Sequence, residues 1–344
     1  MIEIDGSMGY GQLLRTSVAL SALTLKPIKI FNIREGRPKP GLAAQHLMGV
    51  KTAGEFCNAE IKGLELGSTE IEFIPKSFSV TDRKIDIGTA GQISLLLQTL
   101  TPLLIFSIKE VTLDITGGTA GLGAPTIQFV KYVTFPLLSK LNIPLPEIEI
   151  IREGFYPRGG GRIKIKFKPV KKLNAINLTN PGKIEKIKGI SIAGSLPEHI
   201  ATRQAESARK YLEERNFKDV EIKSEIVETY SQGTSITLWA ECENTVIGSD
   251  YIGKRGVRAE TIGEECAKGL VRSLKSDAAL DKFMSDQILI FLALAEGNSE
   301  VKVEEITEHC ITNMRVCEQI LGVKFKVDEK SKRIEVEGIG LENK

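Results

Sequence analysis

A chain of 344 residues with 42% hydrophobic and 26% charged content carries apolar material for a substantial core, in two domains or one elaborated domain. Its 46 Lys and Arg against 44 Asp and Glu leave a formal charge of +2, which excludes the broad cationic field of a protein that coats nucleic acid. No apolar run approaches the length of a bilayer span and the start "MIEIDG" has no leader pattern, so the expectation is a soluble, cytoplasmic protein with no membrane contact.

The first 75 residues parse as strand, helix, strand, helix, strand, strand. "IEID" reads as a strand, "GQLLRTSVALSALT" as a helix opened by a glycine turn and "PIKIFNI" as a strand. A second helix, "LAAQHLMGVKTAGEF", and the pair "AEIKGLEL" and "STEIEFIP" complete the unit. Between them, "IREGRPKPG" crowds Arg34, Arg37 and Lys39 into a Pro/Gly loop. A local nucleic-acid contact and a solvated charged loop both fit it.

The order then repeats: "KIDIG", helix "GQISLLLQTLTPLLIF", "VTLDITGG", helix "TIQFVKYVTFPLLSKL", and the pair "EIEIIREG" and "GRIKIKFKP". It returns near the C-terminus as helix "FMSDQILIFLALA", strand "SEVKVEEI", helix "HCITNMRVCEQIL", and the pair "VKFKVDE" and "RIEVEG". The opening strand of this third unit is assigned to "NAINL", residues 174–178, so about a hundred residues interrupt the unit. The interruption reads as a βαββα order: "KIKGISIAG", helix "RQAESARKYLEERN", "VEIKSEIVE", "TSITLWAEC" and helix "AETIGEECAKGLVRSL". The expected fold is α/β (α+β): three βαβαββ units over 1–181 and 278–344, and an insert domain over 182–277.

Superposed by pattern, the units bring Gln12, Gln92 and Gln287 to equivalent helix starts. Each glycine-rich start can serve as an anion site or simply allow close packing. His309 falls near the start of the second helix of unit three, on its apolar face. A packed histidine fits such a place; so does a neutral imidazole, favoured by the helix dipole, that attacks an electrophilic phosphorus. His46, His199 and His309 have no paired spacing, and Cys57, Cys242, Cys266, Cys310 and Cys317 contain no CxxC pair, so no zinc cluster is indicated and free thiols are expected. P-loop, GxSxG and protein-kinase motifs do not occur.

Seven stretches in order are similar to one family: "DGSMGYGQLLRT", "IREGRPKPGLAAQHL", "IGTAGQISLLLQTLTP", "GGTAGLGAP", "GFYPRGGG", "MSDQ" and "HCITN". On these the chain resembles the RNA 3'-terminal phosphate cyclases from end to end. The resemblance implies a thioredoxin-like insert and an ATP-dependent ligase acting on RNA 3'-phosphate ends to give a 2',3'-cyclic phosphate. It passes through a histidine-AMP intermediate and an RNA-(3')pp(5')A end, with Mg²⁺ or Mn²⁺ assisting. Carried across, it makes His309 the adenylated nucleophile and places Gln98, Pro125, Phe283, Met284, Ser285, Asp286 and Gln287 around ATP. Arg15, Arg34, Arg37 and Lys39 fall near the RNA end, as does Arg158. Phe283 stands where relatives frequently have Tyr, which keeps stacking without a phenolic hydrogen bond. Many relatives carry an EGGGQ turn whose glutamate is thought to hold the metal. This chain has "SMGYGQ", with Met8 or a gap there, so the metal ligands stay unassigned and Asp5 is the nearest substitute. The alternative from another class is a non-catalytic relative acting in ribosomal RNA processing; such proteins lack the histidine. A homo-oligomer stays open.

Overall fold

The computed structural model describes residues 1–7 and 10–343; Met8, at the position of the relatives' turn glutamate, lies outside the described residues. Alternating apolar residues build β1 (Ile2–Asp5) and β2 (Ile28–Phe31), which run parallel because α1 (Tyr10–Thr24) carries the chain back between them. After α2 (Ala44–Phe56), β3 (Glu60–Lys62) and β4 (Ile71–Ile74) complete a sheet ordered β1-β2-β4-β3, with β4 antiparallel to both neighbours.

β5 (Arg83–Asp86), α3 (Ile93–Ile105) and β6 (Val111–Gly117) follow. The expected helix over 126–141 is broken into α4 (Ile127–Phe129), a π-helical turn (Val130–Thr134), α5 (Phe135–Leu138) and a 3-10 turn (Ser139–Leu141). Pro136 has no N-H for the carbonyl of Tyr132 four residues back, so the hydrogen-bond ladder widens there. β7 (Glu147–Arg152) and β8 (Gly161–Phe167) finish a second sheet in the order β5-β6-β8-β7.

The strand expected over 174–178 contracts to β9 (Asn177–Leu178), with one further bridge from Asn174 to Glu296. The chain then builds a separate sheet from β10 (Ile184–Gly194), α6 (Glu198–Glu213), β11 (Val220–Val227), β12 (Gly233–Cys242), β13 (Val246–Ile252) and α7 (Ala259–Lys275). Its order is β11-β10-β12-β13. This corrects the βαββα expectation: β13 is an added strand. Its sequence "VIGSDYI" has no apolar alternation because Gly248 and Ser249 are buried against neighbours and Asp250 is half-buried rather than turned fully to water.

Returning, the expected helix 283–295 is split into α8 (Met284–Gln287) and α9 (Leu289–Leu294). β14 (Glu296–Lys302), α10 (Glu308–Leu321), β15 (Phe325–Asp328) and β16 (Arg333–Ile339) follow, giving a sheet ordered β15-β16-β14-β9. Among the described residues, these three sheets share one pairing order, first-second-fourth-third in the sense of the chain.

Period-two alternation explains how the β10–β13 sheet is covered on both faces. Ile187, Ile236, Leu238 and Ala240 pack with α6 and α7, whereas Ile190, Ile192 and Trp239 join the core shared by the other three sheets. Trp239 stacks on Tyr132 of the π turn, with ring centroids 4.4 Å apart and planes 1° from parallel. Phe155, in the loop after β7, lies against Gly194 and Gly233. Among the described residues no helix is long and apolar enough to cross a membrane.

Candidate active site

α10 starts at Thr307, whose hydroxyl accepts from the Cys310 N-H at 3.2 Å, and His309 stands in the first turn. Thr312, Asn313, Val316, Cys317 and Ile320 form its buried face. Asn313 is fully buried and fixes three helices at once. Its Oδ1 accepts from the Thr16 hydroxyl of α1 at 2.7 Å, and its Nδ2 donates to the Asp286 carbonyl of α8 at 2.8 Å. Burial pushes the Cys310 thiol up to about 11 and the Cys317 thiol up as well, so neither is a ready thiolate.

The α8 start is held by the buried Asp281. One carboxylate oxygen accepts from the N-H groups of Phe283 and Met284 at 2.9 and 3.0 Å, and the other accepts from Gly248 of β13 at 3.1 Å. That single side chain joins the α8 turn to the β10–β13 sheet. Asp250 makes a parallel tie, accepting from the Thr126 N-H at the start of α4 at 2.6 Å. Both carboxyls are raised by burial, Asp281 to about 7 and Asp250 to about 6.

From α1, Arg15 donates to Gln12 one turn back, and its charge acts on Asp286. Removal from water raises the Asp286 carboxyl to about 7 despite Arg15, and lowers the Arg15 guanidinium to about 10. His46 of α2 sits beside them. Gly11 is needed there, since a Cβ would stand 2.4 Å from His46 Nε2. Burial first, then Arg15, Arg34 and Arg37, lower the His46 imidazole to about 3. His309 is lowered in the same way, by desolvation followed by Arg15 and Arg37, with Glu308 opposing. A neutral imidazole ringed by fixed cations is a nucleophile facing an anion-attracting wall.

Arg15, Asp250, Asp286 and His309 open on one cavity of about 670 Å³, in the range of small-molecule sites. Of the expected residues, Arg15, Arg37, Gln98, Pro125, Phe283, Asp286, Gln287 and His309 line it. Pro102 in α3 lacks the N-H that would take the Gln98 carbonyl. Gln98 also has its side-chain oxygen buried without a partner. Phe283 is 37% exposed, meets Phe129 edge to face at 6.0 Å and carries the Lys282 ammonium 5.2 Å from its ring centre. Met284 and Ser285 are not brought to the cavity: both are buried, where Met284 takes a contact from the Thr134 hydroxyl and Ser285 donates to the Asp281 carbonyl. Arg34 is spent partly on its own loop, donating to the Gly41 carbonyl at 2.6 Å, and lies near Arg15 and His46. Lys39 and Arg158 are exposed and outside the cavity lining.

Sequence reasoning missed Asp250, Tyr251 and Lys254 on the β13 side, and Lys282, Glu305 and Thr307 on the side of His309. The first three carry no motif; only docking of the β10–β13 sheet brings them in. At the α3 start the 117–121 loop closes over Gln92, leaving 2.3 Å between its Nε2 and a Cβ on Gly121, so this turn is packed rather than open to an anion. Among the described residues no three His, Cys, Asp or Glu side chains converge. Asp5 accepts from the Ser7 N-H at 3.0 Å and from the Asn32 amide at 3.1 Å, both on Oδ1, which ties it to the turn after β1.

A family model described as RNA 3'-terminal phosphate cyclase matches residues 7–327. A Pyrobaculum aerophilum protein named RNA 3'-terminal phosphate cyclase is 45% identical over 98% of this chain and 99% of its own length. Proteins of the same name from Thermococcus kodakarensis (44% identical, 95% of this chain and 94% of the relative) and Archaeoglobus fulgidus (43%, 95% and 98%) agree with it. Similarity of this extent places the chain in the RNA 3'-terminal phosphate cyclase family of ligase-class enzymes.

Proposed function

We propose that the cavity binds ATP beside an RNA 3'-phosphate end and that His309 transfers AMP from one to the other. The observation that carries this reading is that His309, at a helix start and biased toward the neutral imidazole, opens on the same cavity as Phe283, Gln98, Asp286 and Arg15. A ring nitrogen of His309 forms a bond to the α-phosphorus of ATP, and the bond from that phosphorus to the bridging oxygen breaks to release pyrophosphate. An oxygen of the RNA 3'-phosphate next displaces the imidazole, giving the RNA-(3')pp(5')A end. The adjacent 2'-oxygen then attacks the RNA phosphorus as its proton leaves, closing the 2',3'-cyclic phosphate and expelling AMP. A phosphate monoester has no good leaving group until AMP is attached, and the neighbouring hydroxyl reacts as an effectively unimolecular nucleophile.

Phe283 offers its exposed ring to adenine, with Pro125, Gln98, Asp286 and Gln287 around the rest of the nucleotide, and Met284 and Ser285 act by supporting that turn from below. Arg15, Arg34 and Arg37 hold the terminal phosphate through charge-assisted hydrogen bonds, and Lys39 meets RNA farther out. A divalent ion, Mg²⁺ or Mn²⁺, bound with ATP would supply neutralisation of phosphate charge. We also read the three equally ordered sheets as copies of one βαβαββ unit, with 182–277 as an insert domain, in a cytoplasmic enzyme.

Incubation of the protein with α-labelled ATP and Mg²⁺ or Mn²⁺ is expected to leave acid-labile, alkali-stable label, and His309→Ala is expected to leave none. Label retained in that variant removes His309 from the mechanism. A wild-type protein that takes no label but binds RNA supports the non-catalytic alternative.

A further inference from the structure

We propose that the RNA strand leading to the reacting end leaves the catalytic cavity along a basic groove on the exposed side of α7. A second cavity of about 710 Å³ adjoins the catalytic one, and Lys282 and Glu305 line both. One route therefore runs from His309 onto the surface of the β10–β13 unit.

The wall of this route is a charge stripe. Lys268, Arg272 and Lys275 follow one another at four and three residues on α7, one helix face, spanning about 10 Å at the α-helical rise. Lys332 approaches from the β15–β16 turn, anchored by donation to the Glu304 carbonyl at 2.8 Å. Lys282 completes the set at the junction. Against these five cations the groove lining holds two carboxylates, Glu304 and Glu305.

Glu304 offsets Arg272 alone and leaves Lys275, Lys282 and Lys332 without a carboxylate partner among the described residues. It is 7% exposed, and its oxygens are taken by Arg272 at 3.2 Å, the Ser273 hydroxyl at 2.6 Å and the Lys282 N-H at 3.1 Å. It fixes the Arg272 guanidinium and the start of the α8 turn. Lys268 shares its charge with Glu264 and Glu265, whereas Lys275 is exposed and has no ion pair among the described residues. Tyr211 closes the far end, carrying the Arg215 guanidinium 3.4 Å from its ring centre. Spaced cations beside a ring and a guanidinium plane are the two elements that hold a single strand without reading its sequence. The whole chain is nearly neutral, so a strand of phosphates gains most from this local excess.

The inference rests on the RNA-end reading, and the test separates the two. Binding of 3'-phosphorylated oligoribonucleotides of ten and of two nucleotides is measured by fluorescence anisotropy at several salt concentrations, alongside self-adenylation. For the full-length protein carrying Lys268→Glu and Lys275→Glu, the ten-mer is expected to bind about 10-fold more weakly, with a salt slope smaller by about 0.7 per lost phosphate contact. The dinucleotide affinity and self-adenylation are expected to stay at wild-type values, which also shows that the variant is folded. A Lys268→Gln, Lys275→Gln protein should fall between. Equal weakening of both lengths, unchanged ten-mer binding, or a length-dependent loss confined to Lys39→Glu overturns the groove. Absent self-adenylation in a wild type that still loses ten-mer binding on charge reversal overturns the cyclase reading and upholds the groove.

Discussion

Asn313→Leu keeps the number and branching of asparagine's side-chain heavy atoms but removes both of its hydrogen bonds, leaving the Thr16 hydroxyl and the Asp286 carbonyl buried without their partner. Each stranded polar group costs about 1–3 kcal/mol. The threonine hydroxyl can turn back to a carbonyl of its own helix, which puts its share at the low end and the sum at about 2–4 kcal/mol. Over 344 residues the unfolding entropy is about 0.7 kcal/mol/K, so Tm should fall by about 3–6 °C. Asn313→Asp restores the acceptor for Thr16 but sets a carboxylate against the Asp286 carbonyl, so it should be no more stable than Asn313→Leu. Self-adenylation measured well below the transition should also slow, by about 10-fold, because the His309 and Asp286 helices lose their common fastener. A leucine variant with unchanged Tm and the wild-type adenylation rate would refute the assignment of Asn313 as the tie between them.

Phe283→Ala removes the exposed ring, and at about 1–3 kcal/mol per stacked base the KM for ATP in self-adenylation should rise roughly 5- to 150-fold; Phe283→Tyr should not raise it. For His309, the lowered pKa places the acid limb of adenylation below the ordinary histidine value of about 6.5. His46 gives a stability signature: the unfolded chain binds its proton near 6.5 and the folded chain refuses it until about 3, so stability is lost as pH falls through that window. Asp281 and Asp286, raised to about 7, act in the other direction, gaining stability as pH falls towards 4. The denaturation difference between wild type and His46→Gln should therefore grow in the wild type's disfavour below pH 6.5, and a pH-independent difference would contradict the burial of a neutral ring.

Much of the fold was legible because burying one face of a strand or helix writes a period of two or 3.6 into the sequence. β1 matched its expected bounds, and α1, α2, α3 and α10 were recovered to within two residues, each carrying an apolar stripe against the core. β13 was illegible for the reverse reason: Gly248 and Asp250 serve contacts to Asp281 and Thr126, not a hydrophobic face. The breaks in α4–α5 and α8–α9 are likewise local departures inside runs whose apolar content promised continuous helices.

For the site, the sequence by itself determined the family through its motifs, and with it His309 and the candidate ATP and RNA residues. It also determined that charge balance confines any nucleic-acid contact to local patches. Only the tertiary structure decided which of those residues share a cavity. Met284 and Ser285 turn inward although they adjoin Phe283 and Asp286, because a short helix points successive side chains in different directions. Asp250, Lys254 and Lys282 reach the cavity through the docking of one sheet on another's helices, and Lys268, Arg272 and Lys275 become a path only because α7 ends beside the α8 turn. Local periodicity records which face of an element is buried; which faces meet is fixed by long-range packing, and that packing created both the catalytic cavity and the groove leading from it.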